Sequence, residues 1–397
     1  MTDASDPGAR GPLHGVKVLD LSRILAGPTC TQLLGDLGAS VLKIENPGSG
    51  GDDTRQWGPP YVMDGAEPTD LSGYFMAANR NKRSVAVDIA TEAGQAQIRR
   101  LASMADIVIE NFKPGGLAKY GLDAATMLAA HPRLVYCSIS GYGQTGPNRD
   151  KPGYDLMAQG FGGIMSLTGD PDGQPVKVGV GIADVMCGMY ACVGILAALR
   201  HAEATGEGQH IDLALVDSQI AWTINEGVNT RLSGEAPQRR GNGHPNIVPY
   251  GVYETADGHV IVAVGNDAQF SRFCGLFGLG DLPADPRFAT NPARIANRAA
   301  LAERLEPALR AHPTDEGVAR MEGAKISVGP VQTMPEVFAS EQAQARGMAL
   351  DMEGGGLRLP LIGNPLKLSR TPVTYRSPPP RFGADTARLD REDPFGD

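Results

Sequence analysis

Short apolar runs alternate with helix-like stretches over the first 145 residues of the chain. The apolar runs, which predict buried strands, lie at residues 16–21, 40–45, 84–89, 106–110 and 134–139. The spacing of apolar side chains predicts helices at 29–37 and 91–104. Such alternation is typical of a mostly parallel sheet covered by helices, so the sequence predicts an α/β fold. Ligands of such sheets usually bind beyond the carboxyl ends of the strands.

Length and charge narrow the range of functions. The chain has 397 residues, enough for two domains, and a formal net charge of -9. Its basic cluster at residues 80–83 is short, so a nucleic-acid partner is not expected. The five cysteines are scattered without CxxC spacing, which argues against a metal site or a disulfide framework. With a polar N-terminus and no run of 18 apolar residues, we expect a cytoplasmic protein without a membrane partner.

The chain beyond the long apolar stretch at 186–201 has a different pattern. A strand is predicted at 206–215, a flexible loop at 239–245 and an alternating strand at 259–265 that follows a hairpin turn at Asp257 and Gly258. The pattern of residues 266–325 is mostly helical, which predicts a smaller α+β domain. The tail from Ser369 is rich in Pro and Arg and predicts an extended surface strap.

Asp184 is the most unusual charged residue of the sequence. It lies among small and apolar residues just before the long apolar stretch, without a cationic neighbour in sequence. An unpaired buried charge is costly, so this carboxylate is expected to be hydrogen-bonded, desolvated or reactive. Its position fits a helix N-cap, and its isolation fits a catalytic group.

Two further segments have the composition of an anion site. Residues 141–147 place three glycines directly after a predicted strand, either as a cradle of backbone N–H groups or as a wide turn. Arg80, Lys82 and Arg83 form either a phosphate site or a solvated rim. The sequence lacks the fingerprints of dinucleotide-binding, P-loop, α/β-hydrolase and zincin proteins.

Seven motifs, in order, give the chain a resemblance to a known family. They are LDLSRILAGP at 19–28, LGDLGASVLKIE at 34–45, PGSGGDDTR at 47–55, NKRS at 81–84, ENFKPG at 110–115, GYGQTGP at 141–147 and GILAAL at 194–199. The chain resembles class III CoA-transferases of the CaiB/BaiF type over residues 12–372. The resemblance implies a Rossmann-like large domain and a smaller α+β domain in an interlocked, ring-like homodimer. It implies a CoA-binding large-domain part at 1–205, a linker and small domain at 206–335, and a return segment at 336–397 that completes the large domain.

The resemblance also implies site residues. In this family an aspartate before the long apolar helix attacks an acyl-CoA thioester, and Asp184 occupies that position. The covalent aspartyl intermediate conserves the thioester energy, so a CoA thioester serves as substrate and no permanently bound cofactor is implied. A glycine loop formed by Gly241, Asn242 and Gly243 is expected to stabilise the oxyanion. The residues expected along the CoA path are Arg23, Arg80, Lys82, Arg83, Asn111, Phe112, Lys119 and Tyr142.

Transferase and racemase are the two activities within this resemblance. An α-methylacyl-CoA racemase uses a histidine thirty residues before the aspartate as a second proton-transfer group, and Tyr154 stands there instead. Because a phenol is a poor base for an α-proton, we favour the transferase, with the closest likeness to succinyl-CoA:glutarate and other dicarboxylate transferases. The expected donor is succinyl-CoA or another dicarboxylyl-CoA, and the expected acceptor is a dicarboxylate. The distal carboxylate needs a cation, for which the candidates are Arg55, Arg80 and Arg240.

Overall fold

A computed structural model describes residues 11–396 of the chain. Its first part contains β1 (Lys17–Asp20), α1 (Ala26–Asp36), β2 (Ser40–Glu45), β3 (Tyr61–Asp64), β4 (Glu67–Ser72), α2 (Gly73–Met76), β5 (Lys82–Ala86), α3 (Glu92–Ala102), β6 (Ile107–Glu110), α4 (Ala124–Ala130), β7 (Val135–Ser140) and α5 (Asp155–Phe161). Next come α6 (Ile164–Leu167), α7 (Ile182–Thr205), β8 (Gln209–Ala214), α8 (Leu215–Ala221) and α9 (Ile224–Ser233). The remainder contains β9 (Tyr250–Glu254), β10 (His259–Ala263), α10 (Asp267–Leu276), α11 (Asn291–Ala296), α12 (Arg298–Arg310), α13 (Thr314–Gly323), β11 (Ser327–Pro330), α14 (Met334–Ala339), α15 (Glu341–Ala345), β12 (Ala349–Gly354) and β13 (Leu357–Ile362).

The described chain divides into two compact units. The larger unit contains the residues up to Ile164, Lys177–Glu235 and the residues from Glu341 onward, and the smaller unit contains Met165–Val176 and Ala236–Ser340. This division differs from the expected boundaries, because residues 206–235 belong to the larger unit and 165–176 to the smaller one. Residues 206–235 belong to the larger unit because they include β8, which is the sixth strand of the central sheet.

The larger unit is built on a parallel sheet, as the alternating pattern predicts. Within the described residues its six strands run in the order β5-β2-β1-β6-β7-β8, and every neighbouring pair is parallel. The strand order reverses between β1 and β6, which is where ligands of open α/β sheets bind. The prediction of an α/β fold with a parallel sheet is confirmed.

The predicted elements match the observed ones more closely in the middle of the sheet than at its edge. The predicted strand at 40–45 coincides with β2, whereas the one at 84–89 starts two residues too late because β5 begins at Lys82. The buried charge of Lys82 hides the start of this strand from a hydrophobicity pattern. The hairpin β3–β4 was not predicted, and α1 begins at Ala26, three residues before the predicted start of the helix at 29.

Helix α7 crosses the core of the larger unit. A Cβ on Gly188 would lie 2.5 Å from the carbonyl oxygen of Ala26, so this glycine is what allows α1 and α7 to pack closely. Among the described residues α7 alone is long and apolar enough to span a membrane by length and composition. Half of its apolar window is buried inside the protein, as in the core helix of a globular domain.

The smaller unit has its own core. Its sheet, within the part of the chain that is described, has three antiparallel strands in the order β11-β10-β9. The predicted hairpin turn at Asp257 and Gly258 joins β9 to β10. Buried aromatic and aliphatic side chains of α10, α12 and α13 pack on this sheet, among them Phe270, Phe273 and Leu305. The α+β pattern of this region is therefore observed.

Candidate active site

Two loops meet where the strand order of the central sheet reverses. The loop after β1 carries Arg23, and the loop after β6 begins with Asn111. The Asn111 side chain accepts a hydrogen bond from the Arg23 backbone N–H at 3.0 Å and donates one to the Arg23 carbonyl at 2.7 Å. This reciprocal pair fixes one loop against the other. The structure thus brings together two of the residues expected to bind CoA.

The loop after β1 is held in a strained conformation. Ile24 has a φ of 71°, which costs a β-branched residue roughly 1–3 kcal/mol. Its backbone N–H donates to both carboxylate oxygens of Asp52, each at 3.2 Å, and Asp52 is itself paired with the buried Lys43 at 2.9 Å. The buried ion pair therefore holds a backbone shape that the loop would not adopt alone.

A cavity of about 460 Å³ opens beside these loops. Three of the residues expected to bind CoA line it, namely Arg23, Phe112 and Lys119. Lys113 and Tyr120 line it too, and the sequence interpretation missed both. Cations next to aromatic rings suit a phosphorylated nucleotide, because the rings cover the base and the cations neutralise the phosphates.

Removing the charge of Lys119 should weaken binding of a CoA thioester. The Lys119 ammonium lies 4.6 Å from the centre of the Tyr120 ring on the cavity wall and is exposed to solvent. For Lys119→Ala we expect KM for the donor that the resemblance implies, succinyl-CoA, to rise about tenfold with little change in kcat, since an exposed charge contributes only a modest binding energy. Steady-state kinetics measure both constants. Lys151→Ala, at an exposed lysine that does not line the cavity, serves as the control, and an equal rise in KM for the two variants contradicts the assignment.

Arg80 and Lys82 are not available to a phosphate. The Arg80 guanidinium binds the Asp36 carboxylate through Nε at 2.8 Å and Nη2 at 2.5 Å. Lys82 is buried against Asp20 at 3.3 Å, the Pro28 carbonyl at 3.0 Å and Asn79 at 2.9 Å. Burial lowers the pKa of Lys82 to about 8. The prediction that these two side chains contact CoA is corrected: both hold the core together.

Arg83 and Tyr142 also lie apart from the cavity. Arg83 donates to the Phe395 carbonyl at 2.8 Å and lines a separate hollow under the C-terminal tail. The Tyr142 ring packs edge-on against Phe161, with 5.3 Å between ring centroids. In the glycine segment around Tyr142, the N–H of Gln144 donates to the Asp212 carboxylate at 3.0 Å. That segment is therefore a turn closed by a carboxylate of the chain itself, and no phosphate cradle forms there.

Arg55, a candidate for the distal carboxylate of the substrate, is saturated by partners of its own. Its guanidinium binds Glu45 at 2.7 Å and Asp70 at 2.8 Å, and its side chain is 2% exposed. It also stacks on the Phe75 ring at 3.7 Å. Of the three candidates, Arg55 and Arg80 are thus excluded by burial, and Arg240 remains, exposed in the smaller unit.

Asp184 lies in the first turn of α7 and is not its N-cap. Gly181 takes the N-cap position, because the helix begins at Ile182, four residues before the predicted apolar stretch. The N-cap interpretation is therefore wrong. Within the described chain the Asp184 carboxylate has no hydrogen bond or ion pair, and burial followed by the negative charge of Asp155 raises its pKa to about 7. An unpaired, desolvated carboxylate is suited to nucleophilic attack.

One aromatic side chain that was not among the predicted site residues, Tyr74, lies near Asp184. Tyr74 belongs to α2, and its pKa is raised by burial and by the negative charge of Asp184. Its ring contacts Trp57 edge-on, with 5.0 Å between centroids. Nothing in the local sequence separates Tyr74 from an ordinary surface aromatic, because it comes near Asp184 only through the folding of distant segments.

The predicted oxyanion loop lies in the smaller unit. Gly241, Asn242 and Gly243 line a cavity of about 310 Å³. The N–H of Gly241 donates to the Gly169 carbonyl at 3.0 Å, and that of Gly243 to the Arg240 carbonyl at 2.9 Å. Of the three, only the Asn242 N–H has no acceptor among residues 11–396. Stabilisation of the oxyanion by this loop stays a prediction, and the backbone N–H of Asn242 is the first candidate donor.

Comparison with known proteins gives a consistent result. The model of CoA-transferase family III matches residues 13–386. Succinate–glutarate CoA-transferase of Agrobacterium fabrum is 47% identical over 98% of this chain and 97% of its own length. Succinyl-CoA:glutarate CoA-transferase of Homo sapiens is 39% identical over 98% of this chain and 87% of its own. The crystal structure of a CaiB/BaiF family protein from Brucella suis superposes with a TM-score of 0.89 at 46% identity, covering 96% of this chain and all of that one.

Proposed function

The chain belongs to CoA-transferase family III, and we propose that it moves CoA between a dicarboxylyl-CoA, such as succinyl-CoA, and a dicarboxylic acid through a covalent bond to Asp184. The protein is a CoA-transferase, and a CoA thioester is its substrate. The observation that supports Asp184 is its geometry: a desolvated carboxylate without a partner in the first turn of a long helix. The names of the relatives support dicarboxylates as the substrate class.

Each bond that forms in the proposed mechanism replaces one that breaks. An Asp184 oxygen attacks the thioester carbonyl, the C–S bond breaks, and CoA leaves as a thiolate, so that the acyl group and Asp184 are joined in a mixed anhydride. The thiolate then attacks the aspartyl carbonyl, releasing the donor acid and leaving an Asp184–CoA thioester. The acceptor carboxylate reverses both steps, and Asp184 is regenerated. Because the thioester energy is conserved, the proposed cycle needs no permanently bound cofactor.

Trapping the covalent intermediate tests this mechanism directly. The protein is mixed with succinyl-CoA without acceptor, quenched in acid and digested. Mass spectrometry is expected to find CoA attached to the peptide that carries Asp184. Addition of glutarate should discharge the adduct and produce glutaryl-CoA. Transfer to glutarate without any adduct on that peptide contradicts the mechanism.

The rate should rise with pH through about 7, the raised pKa of Asp184. The carboxylate attacks only when it is ionised, so protonation below this pH lowers the fraction of reactive enzyme. We expect kcat/KM for succinyl-CoA, which reports the free enzyme, to climb about tenfold per pH unit below the midpoint and to level off above it. Initial rates between about pH 5.5 and 9 measure the profile. A flat profile down to about pH 5 contradicts a reactive group with this pKa.

The homodimer implied by the family resemblance also remains a proposal. Apolar side chains of α7, α8 and α9 are exposed on the larger unit, including Val193 at 65% and Leu232 at 82%. Large apolar side chains left exposed in such numbers are typical of protein interfaces. These exposed side chains support a self-association surface. Interlocking of the two chains is proposed from the resemblance alone.

A cytoplasmic location is proposed as well. All five cysteines are free thiols buried in the protein. Free thiols are typical of proteins kept in a reducing compartment.

A further inference from the structure

The N-terminus of α7 lacks a capping side chain of its own. Gly181 occupies the N-cap position and makes no side-chain hydrogen bond. The first N–H groups of a helix have no acceptor within the helix, so another group must supply one. Asp155, at the start of α5, does so: its Oδ1 accepts a hydrogen bond from the backbone N–H of Ala183 at 2.8 Å. The N-terminus of α7, directly before Asp184, is thus capped by a side chain of α5.

Gln159 holds the same segment from one turn further along α5. Its Nε2 donates to Asp155 Oδ2 at 2.7 Å, and its Oε1 accepts from the Val178 backbone N–H at 2.8 Å. Nε2 also points to the Val180 carbonyl at 3.5 Å. The side chain is fully buried. The Gln159 amide therefore holds both the Asp155 side chain and the backbone segment that precedes α7.

The hydrogen bonds of Asp155 and Gln159 hold the backbone of residues 178–183 in place. A Cβ on Gly181 would lie 3.0 Å from the Leu25 side chain and 3.7 Å from the Asp155 carboxyl carbon, so the backbone there is closely confined. The start of α5 is confined too, since a Cβ on Gly153 would lie 2.1 Å from the Cα of Gly141. Both ends of the contact thus pack against residues that directly precede α1 or directly follow β7.

Asp184 depends on this anchoring because its carboxylate has no partner in the described chain. With no such partner, the position of the Asp184 side chain depends on where the backbone of α7 places it. The titratable groups that act on it are Asp155 from α5, Tyr74 from α2 and Cys187 from α7 itself. A misplacement of about 1 Å at a reacting group costs roughly a hundredfold in rate.

We infer that Asp155 and Gln159 are positioning residues for CoA transfer, which fix the backbone of residues 178–183 and thereby aim the Asp184 carboxylate at the thioester. The inference rests on the proposed function of Asp184. Asp155 has a second effect, since its negative charge opposes ionisation of Asp184. One neighbouring carboxylate thus contributes both to the placement and to the pKa of the nucleophile.

Three variants separate these effects. Asp155→Ala removes the cap and the charge, and Gln159→Ala removes the amide that holds both. Asp155→Asn keeps an acceptor for the Ala183 N–H but removes the charge. Met157→Ala, at an exposed side chain of the same helix, is the matched control. The readouts are kcat, KM for succinyl-CoA, the pH profile and the rate at which the Asp184–CoA adduct forms.

For the two alanine variants we expect kcat and the rate of adduct formation to fall about a hundredfold, with KM for succinyl-CoA within about threefold of the unmodified protein. Asp155→Asn should lose less than about tenfold, and the midpoint of its pH profile should move below that of the unmodified protein. Met157→Ala should behave like the unmodified protein. A general loss of folding would also lower kcat at unchanged KM by reducing the fraction of active enzyme, so the folded fraction of each variant is measured by circular dichroism and the rates are compared per folded protein.

The outcomes separate the inference from the function on which it rests. If the unmodified protein transfers CoA but forms no adduct at Asp184, the proposed function fails. If the adduct forms at Asp184, and forms equally fast in Asp155→Ala and Gln159→Ala, the positioning role is overturned. An unchanged pH midpoint in Asp155→Asn overturns the electrostatic effect of Asp155.

Discussion

Replacing Asp184 by alanine should lower the rate of CoA transfer by roughly a thousandfold or more, because the chemistry then lacks the group that carries the acyl and CoA moieties. Asp184→Asn should be nearly as inactive, since an amide oxygen is a far weaker nucleophile than a carboxylate. Glutaryl-CoA formed from succinyl-CoA and glutarate, quantified by mass spectrometry, measures the rate. KM for the CoA thioester should change little, as the cavity residues at the sheet edge are untouched.

Asp217→Asn is the control for this experiment. Asp217 also lies in the first turn of a helix, α8, but its side chain is exposed. We expect it to retain full activity. Equal losses in the Asp184 and Asp217 variants, or full activity in Asp184→Ala, would show that the transfer does not pass through Asp184.

Removing the Asp36 carboxylate should destabilise the larger unit by roughly 3–5 kcal/mol, the usual cost of leaving a buried charge without its partner. Asp36 is fully buried. Its oxygens accept hydrogen bonds from Arg80 at 2.8 and 2.5 Å, from Asn81 at 2.8 Å and from Asn364 at 2.8 Å. Asp36→Ala would leave the Arg80 guanidinium buried and unpaired. Urea denaturation followed by circular dichroism gives the change in free energy of unfolding.

An exposed ion pair provides the comparison. Asp351 binds Arg358 at 2.8 Å across the hairpin β12–β13, with side chains 50% and 77% exposed. Such pairs contribute about 0–1 kcal/mol, so Asp351→Ala should leave the urea midpoint nearly unchanged. If Asp36→Ala kept its urea midpoint but raised KM for succinyl-CoA, Arg80 would act as a ligand for the substrate and the structural role assigned to it would be wrong.

The difference between Lys119 and Lys82 explains much of what the sequence could and could not predict. Lys82 lies in a motif of the family and Lys119 lies four residues after another one, at 110–115, and both were expected along the CoA path. Lys119 lines the cavity, whereas Lys82 points into the sheet toward Asp20. Sequence places a residue on a strand, but the partner that neutralises its charge comes from a strand or loop dozens of residues away. Hydrophobicity patterns treat buried and exposed cations alike.

The sequence by itself determined the α/β class, the parallel sheet, the loops at its carboxyl edge and the family, because these depend on local periodicity and on ordered motifs. It also singled out Asp184, since a carboxylate in apolar surroundings is visible in a linear chain. Only the tertiary structure decided that Asp184 is not a cap, that Arg55, Arg80 and Lys82 are saturated by buried partners, and that β8 keeps residues 206–235 in the larger unit. The physical reason is that capping, charge pairing and sheet membership are contacts between segments far apart in sequence. Asp155 and Gln159 illustrate it, because what they hold lies about twenty to thirty residues further along the chain.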